Sequence, residues 1–398
     1  MAERLSLEWL SEMRDTGRWA EPPYWRDPRY LAQSQFSLDE LDRAFAATER
    51  VYPPEVAKRI FRAHGGRLYQ TMIDVQIDWH SELVALGVDA SLVEPWKYGR
   101  LLERLRQIDQ YEGARFELAA LAAFARAKIP VTYEGHVEGR PDLSLDVGPG
   151  LLLELKAPQR NAIEKEEEQL WMHITLTPYA PRAGEPPMLH PRDVRFTSDF
   201  EVALRFPATK SWIWQHRDEL RNRVLAKIVE LGSGTNFPAR DTICQEIDGQ
   251  TCKLVDIVVN APLGATGQYS SSGLTIDFWR EASRIARGSL ADGSSQIPAD
   301  RLGAVMIHAT NTAHLAVVAK EAQRWFVEEG ASYANVIGAI VVGFVLAPGM
   351  EPLKWVVPVW RAGAPVEFTD AEIWTGFMVG LNWMPLRRRA WLERRGLR

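Results

Sequence analysis

The chain has 398 residues with a formal net charge of −5; 46% are hydrophobic and 25% charged. That balance excludes a disordered chain and a globally basic nucleic-acid coat, although a local basic channel stays open, and the length allows two or three domains. Two cysteines, Cys244 and Cys252, make no disulfide framework and lack zinc-site spacing, which points to a reducing compartment. The start, "MAERLSLEWLSEM", has no continuous apolar h-region, and the most apolar run, Val336 to Ala347, is too short to span a bilayer. The expectation is a cytoplasmic protein with no membrane segment.

The first hundred or so residues predict helices. "SLDE" at Ser37 to Glu40 is a capping-box signature ahead of an amphipathic run. "PPEVAKRIFRAHGG" has a proline-led start and a glycine stop, and "YGRLLERLRQI" reads as a further helix. From about residue 110 the pattern changes. A helical "EGARFELAALAAFARAK" precedes three short strands, "IPVTYEGHV", "RPDLSLDV" and "LLLELK", and then a charged helix, "NAIEKEEEQLWMHI". "TPYAPRAGEPPMLHPRD" reads as a loop and "HRDELRNRVLAKIVELG" as a helix ended by Gly232. Strands are expected at "KLVDIVVNAP", "RLGAVMIHAT", "NVIGAIVVGFV" and "KWVVPVW", and helices at "LTIDFWREASRIARG" and "AHLAVVAKEAQRWFVEEG". "DGSSQIPADRL" and "YSSSG" read as loops. This order implies a mixed sheet flanked by helices, hence an α/β protein behind an N-terminal helical module.

One stretch, "RPDLSLDVGPGLLLELKAP", carries charges where a buried strand excludes them. Strand side chains alternate between faces, so Glu154 and Lys156 share one side of "LLLELK" while Leu153 and Leu155 share the other. Asp142 shares its face with Ser144 and Asp146, and "VGPG" supplies a tight hairpin connection. If that loop centres on Gly148, Asp142 lies opposite Glu154, with Cβ atoms roughly 4.5–5.5 Å apart. Two carboxylates so placed repel unless a cation sits between them, and Mg²⁺ takes one or two carboxylates with water and phosphate oxygens. Lys156 would then orient a water and balance phosphate charge. A register slip of one residue would turn Asp142 away. In the preceding helix Glu117 ends the apolar stripe of Leu121 and Phe124, which aims its carboxylate at the polar end of the sheet.

Asp142 in "PD", with Glu154 and Lys156 in "ELK", resembles the PD-(D/E)XK nuclease superfamily, which has the restriction-endonuclease-like fold. The upstream Glu117 and a helix after the "ELK" strand belong to the same resemblance, which covers roughly residues 110 to 175 and implies an αβββαβ core. It implies Mg²⁺-dependent hydrolysis of nucleic-acid phosphodiester bonds, with Mn²⁺ able to substitute. Asp142 and Glu154 would be metal ligands, the backbone carbonyl of Leu155 would complete the site, Lys156 would position the water, and Glu117 would serve a second metal or its water shell. DNA is expected over RNA, in a defence or repair setting. "QLWMH", Gln169 to His173, is similar to a Q-x-x-x-Y element, with His173 in place of tyrosine, and makes Gln169 a candidate substrate contact. On this reading residues 1–108 are the helical module, 109–375 the nuclease-like domain with insertions, and 376–398 a basic tail.

The tail, "PLRRRAWLERRGLR", interleaves Arg387, Arg388 and four further arginines with Trp391, which suits phosphate contact and base stacking; it equally suits a solvated terminal helix with Trp391 docked. His308 and His314 flank a strand-to-helix turn, where a second metal or a phosphate contact is a minor candidate role. Asp256 and Asp277 stand unanchored. "EKEEEQ" reads as a solvated helix face. A plainer account of the central motif is a sheet-edge salt bridge with no chemistry, and a catalytically inactive protein binding nucleic acid or a protein partner is the alternative function. Homo-oligomerisation is left open.

Overall fold

A computed structural model describes residues 7–63, 66–73, 82–135, 141–157, 200–204, 209–259, 278–309, 315–345 and 353–396. The chain divides into two compact units, one of Met1–Gln159 with Phe278–Arg398 and the other Arg160–Asp277. The first unit opens with α1 (Leu7–Thr16), α2 (Pro28–Gln33), α3 (Leu38–Val51), α4 (Pro54–Ala63), α5 (Gly66–Ile73), α6 (Glu82–Val93) and α7 (Gly99–Leu105). The capping box forms as the sequence implies: the Ser37 hydroxyl accepts from Glu40 N–H, and the Glu40 carboxylate accepts from Ser37 N–H at 2.9 Å.

The alanine-rich α8 (Tyr111–Arg126) is buried along most of its length and packs on α6 and on the strands. Small side chains let neighbours approach it, and two arginines anchor it. Arg115 and Arg126 both reach the buried Asp89 of α6, at 2.7 and 2.5 Å. Three strands follow, β1 (Val131–Tyr133), β2 (Leu143–Leu145) and β3 (Leu151–Lys156), in an antiparallel meander.

The second unit lies between β3 and the next element of the first. It holds β4 (Phe200–Leu204), α9 (Lys210–Gln215), α10 (Arg217–Gly232), β5 (Ala239–Ile247) and β6 (Gln250–Val259), with strand order β4-β6-β5. Leu220, Val224 and Ile228 of α10 pack on Leu254, Val255 and Ile257 of β6. The β5–β6 turn uses Asp248 and Gly249, at φ 52° and 76°, the left-handed pair that matches strand twist.

The first unit resumes with α11 (Phe278–Gln296), β7 (Gly303–His308), α12 (Leu315–Glu328), β8 (Val336–Val345) and β9 (Leu353–Trp360). It closes on α13 (Val366–Thr369), α14 (Ala371–Leu381) and α15 (Trp383–Arg394). Its six-stranded sheet runs β1-β2-β3-β7-β8-β9, parallel at β3–β7 and β7–β8 and antiparallel elsewhere. It is thus a mixed sheet with helices on both faces. Val305, Ile307, Ala339 and Val341 face the core formed with α11 and α12, while Leu153, Leu155, Met306, Ile340 and Val342 face the core formed with α8 and the N-terminal helices.

The sequence reading did not anticipate β4, α9, α13 or α14, and it differs from the structure at two further places. "DGSSQ", expected as the start of a loop, is the last turn of α11. Its glycine and serines are poor helix formers, but Gly293 and Ser294 are buried against the sheet, and packing outweighs propensity. β5 was hidden by its alternating charge, which is tolerated because this edge strand buries only Ile243 well. The expected helix at "NAIEKEEEQLWMHI" and the loops at "TPYAPRAGEPPMLHPRD" and "YSSSG" lie outside the described residues.

Candidate active site

The hairpin sets the geometry. β2 and β3 pair Leu143 with Leu153, Ser144 with Leu152 and Leu145 with Leu151, a register centred on Gly148, which takes φ 54°. One step further along the same register Asp142 stands across from Glu154. The Asp142 carboxylate turns in and accepts from the Leu155 backbone N–H at 2.8 Å. Burial raises the Asp142 pKa, against that hydrogen bond and the pull of Arg104 and Lys156.

Glu154 is 3% exposed, and burial followed by repulsion from Asp142 pushes it up to about 7. Its Oε1 is 2.9 Å from Lys156 Nζ. Its Oε2 is buried and accepts no hydrogen bond, which is an unusual state for a carboxylate oxygen and a demand for a cation or donor.

Glu117 enters from α8, on the face of the sheet opposite to that of Glu154. It is 2% exposed, and its Oε1 is 2.6 Å from the Arg104 guanidinium of α7. The Tyr133 hydroxyl of β1 lies 3.5 Å from Oε2. Burial and the nearby Asp142 push Glu117 up to about 8, despite Arg104. The structure thus brings Asp142, Glu154, Lys156 and Glu117 to one cleft of about 620 Å³, which Arg100, Arg104, Gln107 and Gln110 of the α7–α8 region also line.

Lys156 is held from α11. Asp292 Oδ2 lies 2.5 Å from its ammonium. The Gln296 amide, oriented to satisfy both neighbours, donates to Glu154 Oε1 at 3.0 Å and accepts from Lys156 Nζ at 2.7 Å. Asp292 and Gln296 are one turn apart, so a helix presents both to one point. Sequence reading missed them because the segment resembled a loop, and missed Arg104 because its helix carried no other chemistry. The i, i+4 spacing of Asp292 and Gln296 was the available signal.

The remaining candidates lie elsewhere. Arg387 of α15 makes a two-pronged ion pair with Glu40 at 2.8 Å and covers the Phe36 ring. Trp391 carries Arg395 over its ring at 4.4 Å, and Arg388 shares this helix; none of the three lines the cleft. His308 is stacked on Phe116 at 4.8 Å, and burial drives its pKa down to about 3, a neutral packing histidine. Gln169, His173, His314 and Asp277 lie outside the described residues. Asp256 accepts from the Thr242 hydroxyl at 2.8 Å in the second unit.

Among the described residues no three His, Cys, Asp or Glu side chains stand as a group that could hold a metal ion. No helix of the described residues is long and apolar enough to cross a membrane. The chain matches no family model, no curated protein and no solved structure.

Proposed function

We propose that the first unit is a metal-dependent nuclease of the PD-(D/E)XK type, hydrolysing phosphodiester bonds of nucleic acid, DNA before RNA. One observation carries the reading: the β2–β3 register sets Asp142 across from Glu154, in a cleft that also holds Lys156 and Glu117. The order α8–β1–β2–β3, then α11–β7 with β7 parallel to β3, supports an αβββαβ core of the restriction-endonuclease-like type.

The residues fit a divalent cation in one respect: the buried Glu154 Oε2 accepts no donor, and its carboxylate is repelled by the neighbouring Asp142. Asp142 and Glu154, with the Leu155 carbonyl, would hold Mg²⁺ or Mn²⁺. Such an ion, when bound, polarises a phosphoryl oxygen and acidifies its water. Lys156, its position tied to Glu154, orients the attacking water and balances phosphate charge. Glu117, held by Arg104, supplies a further acidic group to the cleft.

The test is incubation of the protein with supercoiled plasmid and with single-stranded DNA, in Mg²⁺, Mn²⁺ or EDTA, beside Lys156→Ala and Glu154→Gln. Cleavage that needs metal and is lost in both variants supports the reading, and equal cleavage by the variants defeats it. A second reading, a nuclease-fold protein that binds nucleic acid without cutting it, draws on the internal partners that each acid already has: Arg104 on Glu117, Lys156 on Glu154 and Leu155 N–H on Asp142. Calorimetric titration with Mn²⁺ separates the two, because only the enzyme requires a site that binds it.

A further inference from the structure

The ammonium of Lys156 has three N–H donors, and three oxygens stand around it: Glu154 Oε1 at 2.9 Å, Gln296 Oε1 at 2.7 Å and Asp292 Oδ2 at 2.5 Å. To engage a water or a substrate oxygen in the cleft, Lys156 must release one of them. The three are unequal. Glu154 is buried, and Gln296 is half-buried and also donates to Glu154, so losing either strands a buried polar group. The Asp292 side chain is 65% exposed, and water takes over its oxygen at little cost.

We propose that the last turn of α11 presents Lys156 to the cleft through two bonds of different character. Gln296 is a positioning residue that locks the ammonium to Glu154. Asp292 is a releasable partner that keeps the third donor occupied until an anionic phosphate oxygen of the substrate displaces it. The inference rests on the nuclease reading for its kinetic consequences but not for its binding and spectroscopic ones. Gly293 supports it, since its α-carbon approaches so closely that an added Cβ would be 3.4 Å from Glu154 Cγ. Helix and strand are therefore in contact where both bonds form.

The experiment uses the full chain labelled with ¹⁵N-lysine, metal-free for the spectra and for binding of fluorescent single-stranded and duplex oligonucleotides, and in Mg²⁺ for turnover. In the wild type the Lys156 ammonium should give a signal protected from solvent exchange, assigned by its loss in Lys156→Met. Gln296→Ala should abolish that protection, and should lower kcat about 10- to 100-fold with KM for DNA unchanged. Asp292→Asn should keep the signal and tighten oligonucleotide binding and KM about two- to five-fold. That gain must vanish in the Lys156→Met background, whereas a general field effect would persist there. A protected signal in Gln296→Ala, or an Asp292→Asn affinity that is unchanged or independent of Lys156, overturns the proposal. If the wild type cleaves but these shifts are absent, the inference fails alone. If the shifts appear without metal-dependent cleavage, the nuclease reading fails alone.

Discussion

Gly293→Ala tests how closely α11 sits on the sheet. A β-carbon there would stand 2.8 and 2.9 Å from the two γ-carbons of Val305 and 3.4 Å from Glu154 Cγ. Carbon atoms pack well at about 3.5–4.0 Å, so two contacts are too short. Val305 cannot turn aside, because it is β-branched and fully buried in β7, paired with Glu154 across the parallel ladder. Overpacking of this kind costs about 1–3 kcal/mol, while alanine gains about 1 kcal/mol over glycine in a helix interior. The expected outcome is a net loss of about 1 kcal/mol in urea unfolding with an unchanged slope. Lifting α11 also lengthens the contacts of Asp292 and Gln296 to Lys156, so exchange protection of the Lys156 ammonium should fall. A variant more stable than wild type by about 1 kcal/mol, with that signal intact, would refute the close approach.

Glu117 predicts a pH dependence. An acid whose folded-state pKa is raised binds its proton more tightly when folded, so stability is intact below the ordinary value of 4.5 and is lost as pH climbs to about 8. The thermal midpoint should drop over that range and drop less steeply in Glu117→Gln; identical slopes would count against the assignment. Glu40 runs the other way: burial opposes it, yet Arg387 and Ser37 hold its pKa down to about 2, so its contribution fades as pH falls from 4.5 toward 2. Arg387→Ala should therefore cost about 1 kcal/mol at neutral pH, measured by thermal unfolding, and much less near pH 2. In the second unit, Gly249→Ala forces a side chain onto φ 76° and should cost about 1 kcal/mol, read as faster amide exchange in β5 and β6 alone.

Local signals were legible wherever one side chain's chemistry decided the outcome. Ser37 with Glu40 caps α3, alternation marks β3, and the turn centred on Gly148 delivers the register that places Asp142 across from Glu154. Illegible were residues whose role depends on partners distant in sequence. Arg104 looked like any helix-face arginine, yet it meets a buried glutamate of α8. Arg387 looked available to phosphate, yet Glu40, some 347 positions away, takes both prongs of its guanidinium. The last turn of α11 looked like a loop because helix propensity is a per-residue quantity, whereas burial of Gly293 and Ser294 is set by β3 and β7.

The sequence by itself determined an α/β chain, the hairpin of β2 and β3, and the alternation that puts Glu154 and Lys156 on one side, because periodicity and turn chemistry act over a few residues. Tertiary structure alone decided what those charges meet. The parallel pairing of β3 with β7 brings in α11 from beyond residue 277, and α7 lends Arg104 from the other side of the sheet. Both depend on how helices pack across a sheet, and the electrostatics follow from that packing: burial, with the neighbouring Asp142, lifts Glu117 and Glu154 toward neutrality, and no residue carries that information alone.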